Sequence, residues 1–385
     1  MVAKRFFFRR PSLAESIARD LAGEGLSDYS SGMFLAAPRR TGKSTFMKLD
    51  LVPECERRGW FPLYVDLWEE SENDPGDLIA GAIAQALVPF ESRLRTLAKS
   101  LGINKLNVLR TVSWDFTQPK LPEGASLTQA LELLHQATGK LVVFIIDEAQ
   151  HALKTEKGIS AMFGLKAARD ALNLGREPEG LRLVFTGSSR DKLANLVLSR
   201  SQPFFGASIT PFPLLGRDFI EAYTANVNSK LAPGNQFAPA DIEEAFRLVG
   251  NRPERLSEII KDVSVDFGAA NDLGDLLRSG ALAHQAGVWR EYESSYMILT
   301  PPQQAVLEVM AENLLANQSF APYAETTVLA VTRVLEKNGH DSLATTTTIQ
   351  NALNALRERD LVWKSNRGEY ALDDSAMAAW LTRKQ

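Results

Sequence analysis

Four short apolar runs punctuate the first half of the chain: "MFLAA" from Met33, "FPLYVDLW" from Phe61, "LVVFII" from Leu141 and "LRLVF" from Leu181. Their β-branched and aromatic content, and the absence of polar alternation, predict strands buried on both faces. Between them lie "LAESIARDLAGEG", "DLIAGAIAQAL", "SLTQALELLHQATG" and "GISAMFGLKAARDALN", where apolar positions return every three or four residues and predict amphipathic helices. Helices alternating with continuous apolar strands predict a parallel sheet covered on both sides, so residues 1–212 read as one α/β domain. Within "STFMKLDLVPECERRG" a helix should begin and then be disturbed at Pro53. The basic aromatic start "KRFFFRR" reads as a packed first strand with solvated arginines, the alternative being an electrostatic contact to nucleic acid.

After Leu214 the strand signals stop. "GRDFIEAYTANVNSKL", "APADIEEAFRLVG" and "PERLSEIIKDVSVDFG" carry helical periodicity and predict a small helical lid domain over residues 213–290. A third domain, 291–385, opens with Pro301 and Pro302 near a helix start. It continues as helices over 302–315, 326–338 and 346–359 and closes with a hairpin over 361–372, turning at Ser365-Asn366-Arg367-Gly368. Three helices followed by a β-hairpin is the order of a winged helix.

Composition narrows these readings. A chain of 385 residues accommodates two or three domains, and a net charge of −4 with pI near 5.8 gives no global pull toward nucleic acid. Cys55 is the only cysteine, which excludes an intrachain disulfide and a multi-cysteine zinc site and suits a reducing compartment. Arg9 and Arg10 interrupt the N-terminal aromatic triplet before a signal core develops, and no apolar run approaches the ~18 residues of a membrane span. A soluble, cytoplasmic protein is expected.

The chemistry concentrates at "AAPRRTGKST", directly after the first apolar run. A phosphate-binding loop needs successive backbone N–H groups facing one concavity, a lysine for the terminal phosphates and a hydroxyl for Mg²⁺. Pro38, Arg39, Arg40, Thr41, Gly42, Lys43, Ser44 and Thr45 supply these at the required spacing. Ala37 stands where such loops usually open with glycine, which asks only that the first turn accept a methyl group. "FIIDEAQ" places Asp147 and Glu148 at the C-terminal edge of a buried strand, where open α/β sheets bind ligands. Asp147 is expected to hold Mg²⁺ through its water shell, and Glu148 to orient or deprotonate the water that attacks the γ-phosphate. The strand "LRLVFTGSS" ends in Thr186, Ser188 and Ser189, any of which can hydrogen-bond that water or the phosphate.

With these residues assembled, the chain resembles the AAA+ and STAND-type P-loop ATPases, in particular the archaeal-type ATPase group. "APRRTGKST", "YVDLW", "FIIDEAQHAL", "VFTGSS", "GNRPERL" and the winged-helix-like tail carry the resemblance in order along nearly the whole chain. It implies an Mg²⁺-dependent ATPase with ATP as its nucleotide. It implies further that Lys43 and Ser44 act on phosphate and metal, that Asp147 and Glu148 are the Walker B pair, and that Ser188 is the first sensor. Arg252 or Arg255 would be the second sensor, reaching from the lid. Family members often carry a further arginine that contacts nucleotide on a neighbouring subunit in a homo-oligomer. Arg200 is the candidate here, and Ala207 stands where many relatives have arginine.

A winged helix can present its third helix to the major groove and its hairpin to the backbone. Thr347, Gln350, Asn351, Asn354 and Arg357 on that helix, with Lys364 and Arg367 on the wing, would be the DNA contacts. Residues 297–385 carry eight Lys or Arg against ten Asp or Glu, a net of −2, which is poor for a phosphate-driven binder. Two functions therefore stand: an ATP-driven switch associated with double-stranded DNA, or a signalling or assembly switch whose tail docks a protein partner.

Overall fold

The computed structural model describes residues 6–68, 72–93, 121, 124–177, 179–232, 234–265, 272–366 and 368–384. Its centre is a five-stranded parallel sheet in the order β2-β3-β4-β1-β5, built from β1 (Met33–Ala36), β2 (Phe61–Asp66), β3 (Val142–Asp147), β4 (Leu181–Gly187) and β5 (Ile209–Pro211). The four apolar runs thus become the three inner strands β3, β4 and β1 and the edge strand β2. The three-residue β5 carries too short an apolar signal to be read as a strand.

Alternation along each strand splits the core into two layers, as the period of two requires. Phe34, Phe144, Ile146 and Phe185 face one side, against α4 (Pro75–Leu87), α5 (Leu127–Thr138), α6 (Glu156–Asn173) and α7 (Arg190–Leu198) in sequence order. Phe34 and Phe185 stack there with ring centroids 4.6 Å apart. Met33, Leu35, Val143, Ile145 and Val184 face the other side, against α1 (Pro11–Leu21) and the helix that follows the loop. Helix starts are set locally: Asp74 and Thr155 cap α4 and α6, and Ser126 with Gln129 forms a capping box on α5.

The helix after the loop is interrupted but not stopped by its proline. It runs as α2 (Lys43–Phe46), a π-helical turn (Met47–Leu51) and α3 (Val52–Arg57). Pro53 has no N–H to give to the carbonyl four residues back, Leu49. That carbonyl instead receives the Arg9 guanidinium, whose Nε also binds Asp50 at 2.7 Å.

The N-terminal segment differs from expectation. Residues 6–10 form no strand. Phe6 packs on Tyr223 and Phe8 on Phe219, and Arg10 donates to the Pro213 carbonyl at 2.7 Å, so the segment straps the sheet domain to the helices beyond it. Lys4 and Arg5 lie outside the described residues.

Those helices are α8 (Arg217–Asn228), α9 (Pro239–Leu248), α10 (Pro253–Val265) and α11 (Leu273–Met297), closed around Phe219, Ile242, Phe246, Leu256 and Leu277. The boundary expected at 290/291 falls inside α11. Its first half packs in this cluster, whereas Trp289, Tyr292 and Tyr296 pack in the C-terminal one. The C-terminal unit consists of α12 (Pro301–Leu315), α13 (Glu325–Lys337), α14 (Thr346–Glu358), the antiparallel hairpin β6 (Val362–Asn366) and β7 (Glu369–Leu372), and α15 (Ala376–Lys384).

Candidate nucleotide-binding site

Strand β1 delivers the chain to the loop at the C-terminal edge of the sheet. Ala37 is buried there and its N–H bonds the Gly187 carbonyl at 3.2 Å, so the methyl group is accommodated without strain. The Thr41 hydroxyl donates to the Pro38 carbonyl at 2.8 Å and closes the loop on itself. Gly42 precedes α2 with φ of 86°, a left-handed conformation that glycine adopts without cost, although a Cβ there would meet no atom within 4 Å. The constraint on Gly42 is therefore backbone conformation, not crowding. Arg40 also has positive φ, 65°, and its guanidinium lies 3.4 Å from Glu254 at the start of α10.

Lys43 points from the first turn of α2 to the ends of β3 and β4. Its ammonium contacts Asp147 Oδ1, Glu148 Oε1 at 3.2 Å and Thr186 Oγ1 at 2.9 Å. Asp147 is fully buried and also accepts from Tyr64 at 2.9 Å and from the Thr186 hydroxyl. Burial pushes the Asp147 carboxyl up, but the Lys43 charge and hydrogen bonds from Lys43, Ser44 and Thr186 outweigh it and hold the group at about 2. Burial acts on Glu148 in the same way and is likewise overcome, first by Lys43, then by Ser188 and Gln150, so its pKa lies below the usual carboxylate range.

Glu148 itself sits at φ of 53°, where the chain turns from β3 into a short 3₁₀ segment (Ala149–Lys154). Its Oε2 accepts from the Ser188 hydroxyl at 2.7 Å, from the Ser188 N–H at 3.2 Å and from the Gln150 amide. Thr45 follows on α2, and Ser44 lies beside Asp147, so a hydroxyl and a carboxylate converge at one point as Mg²⁺ coordination through water requires.

Several participants carried no sequence signal of their own. Gln150 and Tyr64 reach the paired carboxylates, and Asp66 lies beside Asp147 in the register of β2 on β3, its pKa raised by burial and then by the Asp147 charge. Around the loop, Trp68 carries the Arg39 guanidinium over its ring at 5.0 Å and packs edge-on against His151. Burial, then Lys154, lowers the His151 pKa to about 4, so the imidazole is neutral at pH 7.

The expected arginines divide. Arg255 pairs with Glu258 on its own helix at 2.6 Å, and Arg252 turns toward the C-terminal unit, 3.4 Å from Asp374. Neither bonds the loop, whose ion pair to the lid is instead Arg40–Glu254. Arg200 lies exposed just past α7. In the C-terminal unit, Thr347, Asn351 and Asn354 are exposed on α14, Gln350 is half-buried against Tyr323, and Arg357 does not face solvent but grips Asp191 of α7. Lys364 lies on β6 beside the same aspartate; Arg367 lies outside the described residues.

No protein-family model matches the sequence, and no curated protein is matched by it. Solved structures are. The Walker-type ATPase of Pyrococcus abyssi superposes with a TM-score of 0.53 at 17% identity, over 98% of this chain and 96% of that one. The Aeropyrum pernix Orc2 protein in its ADP form gives 0.51 at 15%, over 97% and 92%. The chain shares the fold of these two proteins over nearly its whole length. At these identities the likeness is one of architecture, and the chemistry rests on the residues just described. Among the described residues, no helix is long and apolar enough to cross a membrane.

Proposed function

We propose that the protein is an ATP-binding, Mg²⁺-dependent ATP-hydrolysing switch whose C-terminal winged helix associates with duplex DNA. The observation that carries the ATPase reading is the convergence of Lys43 from the loop, Asp147 and Glu148 from β3 and Ser188 from the end of β4 on one point at the C-terminal sheet edge. Such a constellation has the parts phosphoryl transfer needs: a cation for the β- and γ-phosphates, a buried carboxylate for the metal, and a second carboxylate for the attacking water.

The Lys43 ammonium is paired with its own acids, Asp147 and Glu148. Phosphate oxygens entering the loop would draw the ammonium away, leaving Asp147 with Ser44 to hold Mg²⁺. Glu148, still fixed by Ser188 and Gln150, would face the γ-phosphate and take the proton of the attacking water. The metal would supply neutralisation of the phosphate charge.

The DNA reading rests on the helix–helix–helix–hairpin order and on the exposed short polar side chains Thr347, Asn351 and Asn354 of α14. Protein docking is the competing reading, favoured by the net charge of −2 over residues 297–385. Titration of ATP into the protein by calorimetry tests the nucleotide site: wild type should bind and Lys43→Ala should not. Equal affinity in the two would remove the assignment.

A further inference from the structure

Arg357, at the C-terminal end of α14, reaches Asp191 with both arms of its guanidinium. Nε donates to Oδ1 at 2.7 Å and Nη2 to Oδ2 at 3.1 Å, the paired geometry by which arginine binds carboxylates and phosphates. The backbone N–H of Lys364, on the first strand of the wing, donates to the same Oδ1 at 3.1 Å. Arg357 Nη2 also lies 3.4 Å from Asn195 Oδ1. Asp191 is only 8% exposed, so the α14–wing junction wraps its carboxylate rather than brushing it. Beside this contact, Lys192 pairs with Asp360 at 3.0 Å and the Arg190 guanidinium lies over the Trp363 ring at 5.7 Å.

A guanidinium fork plus a main-chain N–H, held together by a helix end and a wing, is a receptor for an oxyanion. On the winged-helix reading, α14 and the wing are the elements that would meet nucleic acid. Here the first turn of α7 fills their junction. We propose that Arg357 and the Lys364 amide form a binding site for a DNA backbone phosphate, and that Asp191 plugs this site from within the same chain. The plug rests on the winged-helix reading above and explains why a unit with a net charge of −2 would bind DNA only after rearranging. It also places the plug near the nucleotide site: Asp191 lies three residues past Ser188, whose hydroxyl holds Glu148 at 2.7 Å.

The test compares wild type, Asp191→Ala, Asp191→Asn and the double variant Asp191→Ala/Arg357→Ala, each as the full chain without nucleotide. Duplex DNA is titrated by fluorescence anisotropy from low to physiological salt. Removing the plug should tighten DNA binding by about tenfold or more, and one added phosphate contact should steepen the slope of log K against log salt by ~0.9. The double variant should return to the wild-type affinity. Amide exchange at Lys364 should quicken in Asp191→Ala, since that N–H loses its acceptor.

Should Asp191→Ala bind DNA no better than wild type, or should neither bind at low salt, the phosphate site falls, and protein docking becomes the reading for the tail. A gain that survives loss of Arg357 also overturns it. Asp191→Asn, which keeps the side-chain volume while losing the charge, separates unplugging from misfolding: its folded form should show the same direction of change. ATP calorimetry on the same samples reports the loop site independently, so loss of the DNA claim and loss of the ATPase reading are distinguishable.

Discussion

Lys43 carries one positive charge among acidic oxygens that would otherwise face each other in a buried space, and much of the site's electrostatics follows from it. Asp147, held at about 2 against an ordinary 3.8, contributes stability that is complete above the unfolded value and lost as pH falls from about 4 toward 2. In Lys43→Met the largest influence opposing burial is removed, so the Asp147 pKa should rise. The variant should therefore be less stable than wild type at neutral pH, and the gap should narrow on acidification through that window. Denaturant titrations at a series of pH values measure this; a gap independent of pH would show that Lys43 does not hold Asp147 ionised.

Gln150 donates its amide N–H to Glu148, and its Oε1 is buried with no hydrogen-bond partner, pressed where a Gly187 side chain would stand, 2.5 Å away. In Gln150→Leu, ATP binding should persist while kcat falls about 10–100-fold, the range for loss of a partner that orients an active group. Because the Gln150 bond lowers the Glu148 pKa, the acid limb of the pH–rate profile should move to higher pH. An unchanged profile with unchanged kcat would show that Ser188 alone orients Glu148. The loop and the acidic pair were legible in the sequence because the spacing of a phosphate-binding loop and of a carboxylate pair at a strand end is a recognisable pattern. Tyr64 and Gln150 were less so, because Tyr64 reaches Asp147 only through the pairing of β2 with β3, and Gln150 reaches Glu148 only through the turn that follows β3.

At the level of elements, apolar runs and helical spacing identified the inner strands and most helices, since burial on two faces or on one leaves different periods. Failures came where one element answers to another. Pro53 signalled a disturbance, which the structure has as a π-helical turn; what the sequence did not show is that Arg9 takes the Leu49 carbonyl that the proline leaves free and pairs with the buried Asp50. Arg9→Ala removes the partner of both groups and, with the arginine itself half-exposed, should cost about 1–2 kcal/mol in urea denaturation. Arg9→Ala/Asp50→Asn should recover part of it, and additive losses in the two single variants would show that the pair is not coupled. The aromatic start looked like a strand because its residues favour one, but Phe6 and Phe8 find their partners on α8, not on a neighbouring strand. Likewise α11 crosses an expected boundary because opposite halves of one helix serve two cores.

At the scale of the whole molecule, sheet domain, lid and C-terminal unit are joined by a few charged contacts: Arg40–Glu254, Arg252–Asp374, and Arg357–Asp191. Arg252 therefore faces away from the role of second sensor in this conformation, bonded to an Asp374 that also accepts from Tyr292 at 2.6 Å. Arg200 is exposed beyond α7, and the role expected of it is to contact nucleotide on a neighbouring copy. If it does so, ATPase activity per subunit should rise with protein concentration and fall by about 10³-fold or more in Arg200→Ala, as for arginines that stabilise the transferring phosphoryl group. Specific activity constant over a hundredfold dilution, with a monomeric mass in ATP and Mg²⁺, would assign hydrolysis to the single chain.

The central claim is that Glu148, beside Lys43 and Asp147, handles the water that attacks ATP. Substituting Glu148→Gln keeps the side-chain shape and removes the base. The direct measurement is single-turnover hydrolysis of ATP with Mg²⁺ by the wild-type and Glu148→Gln proteins, with nucleotide occupancy followed in the same reactions. The account predicts that the variant fills with ATP as the wild type does and cleaves it about 10²–10⁴-fold more slowly. Equal cleavage rates at equal occupancy would contradict it.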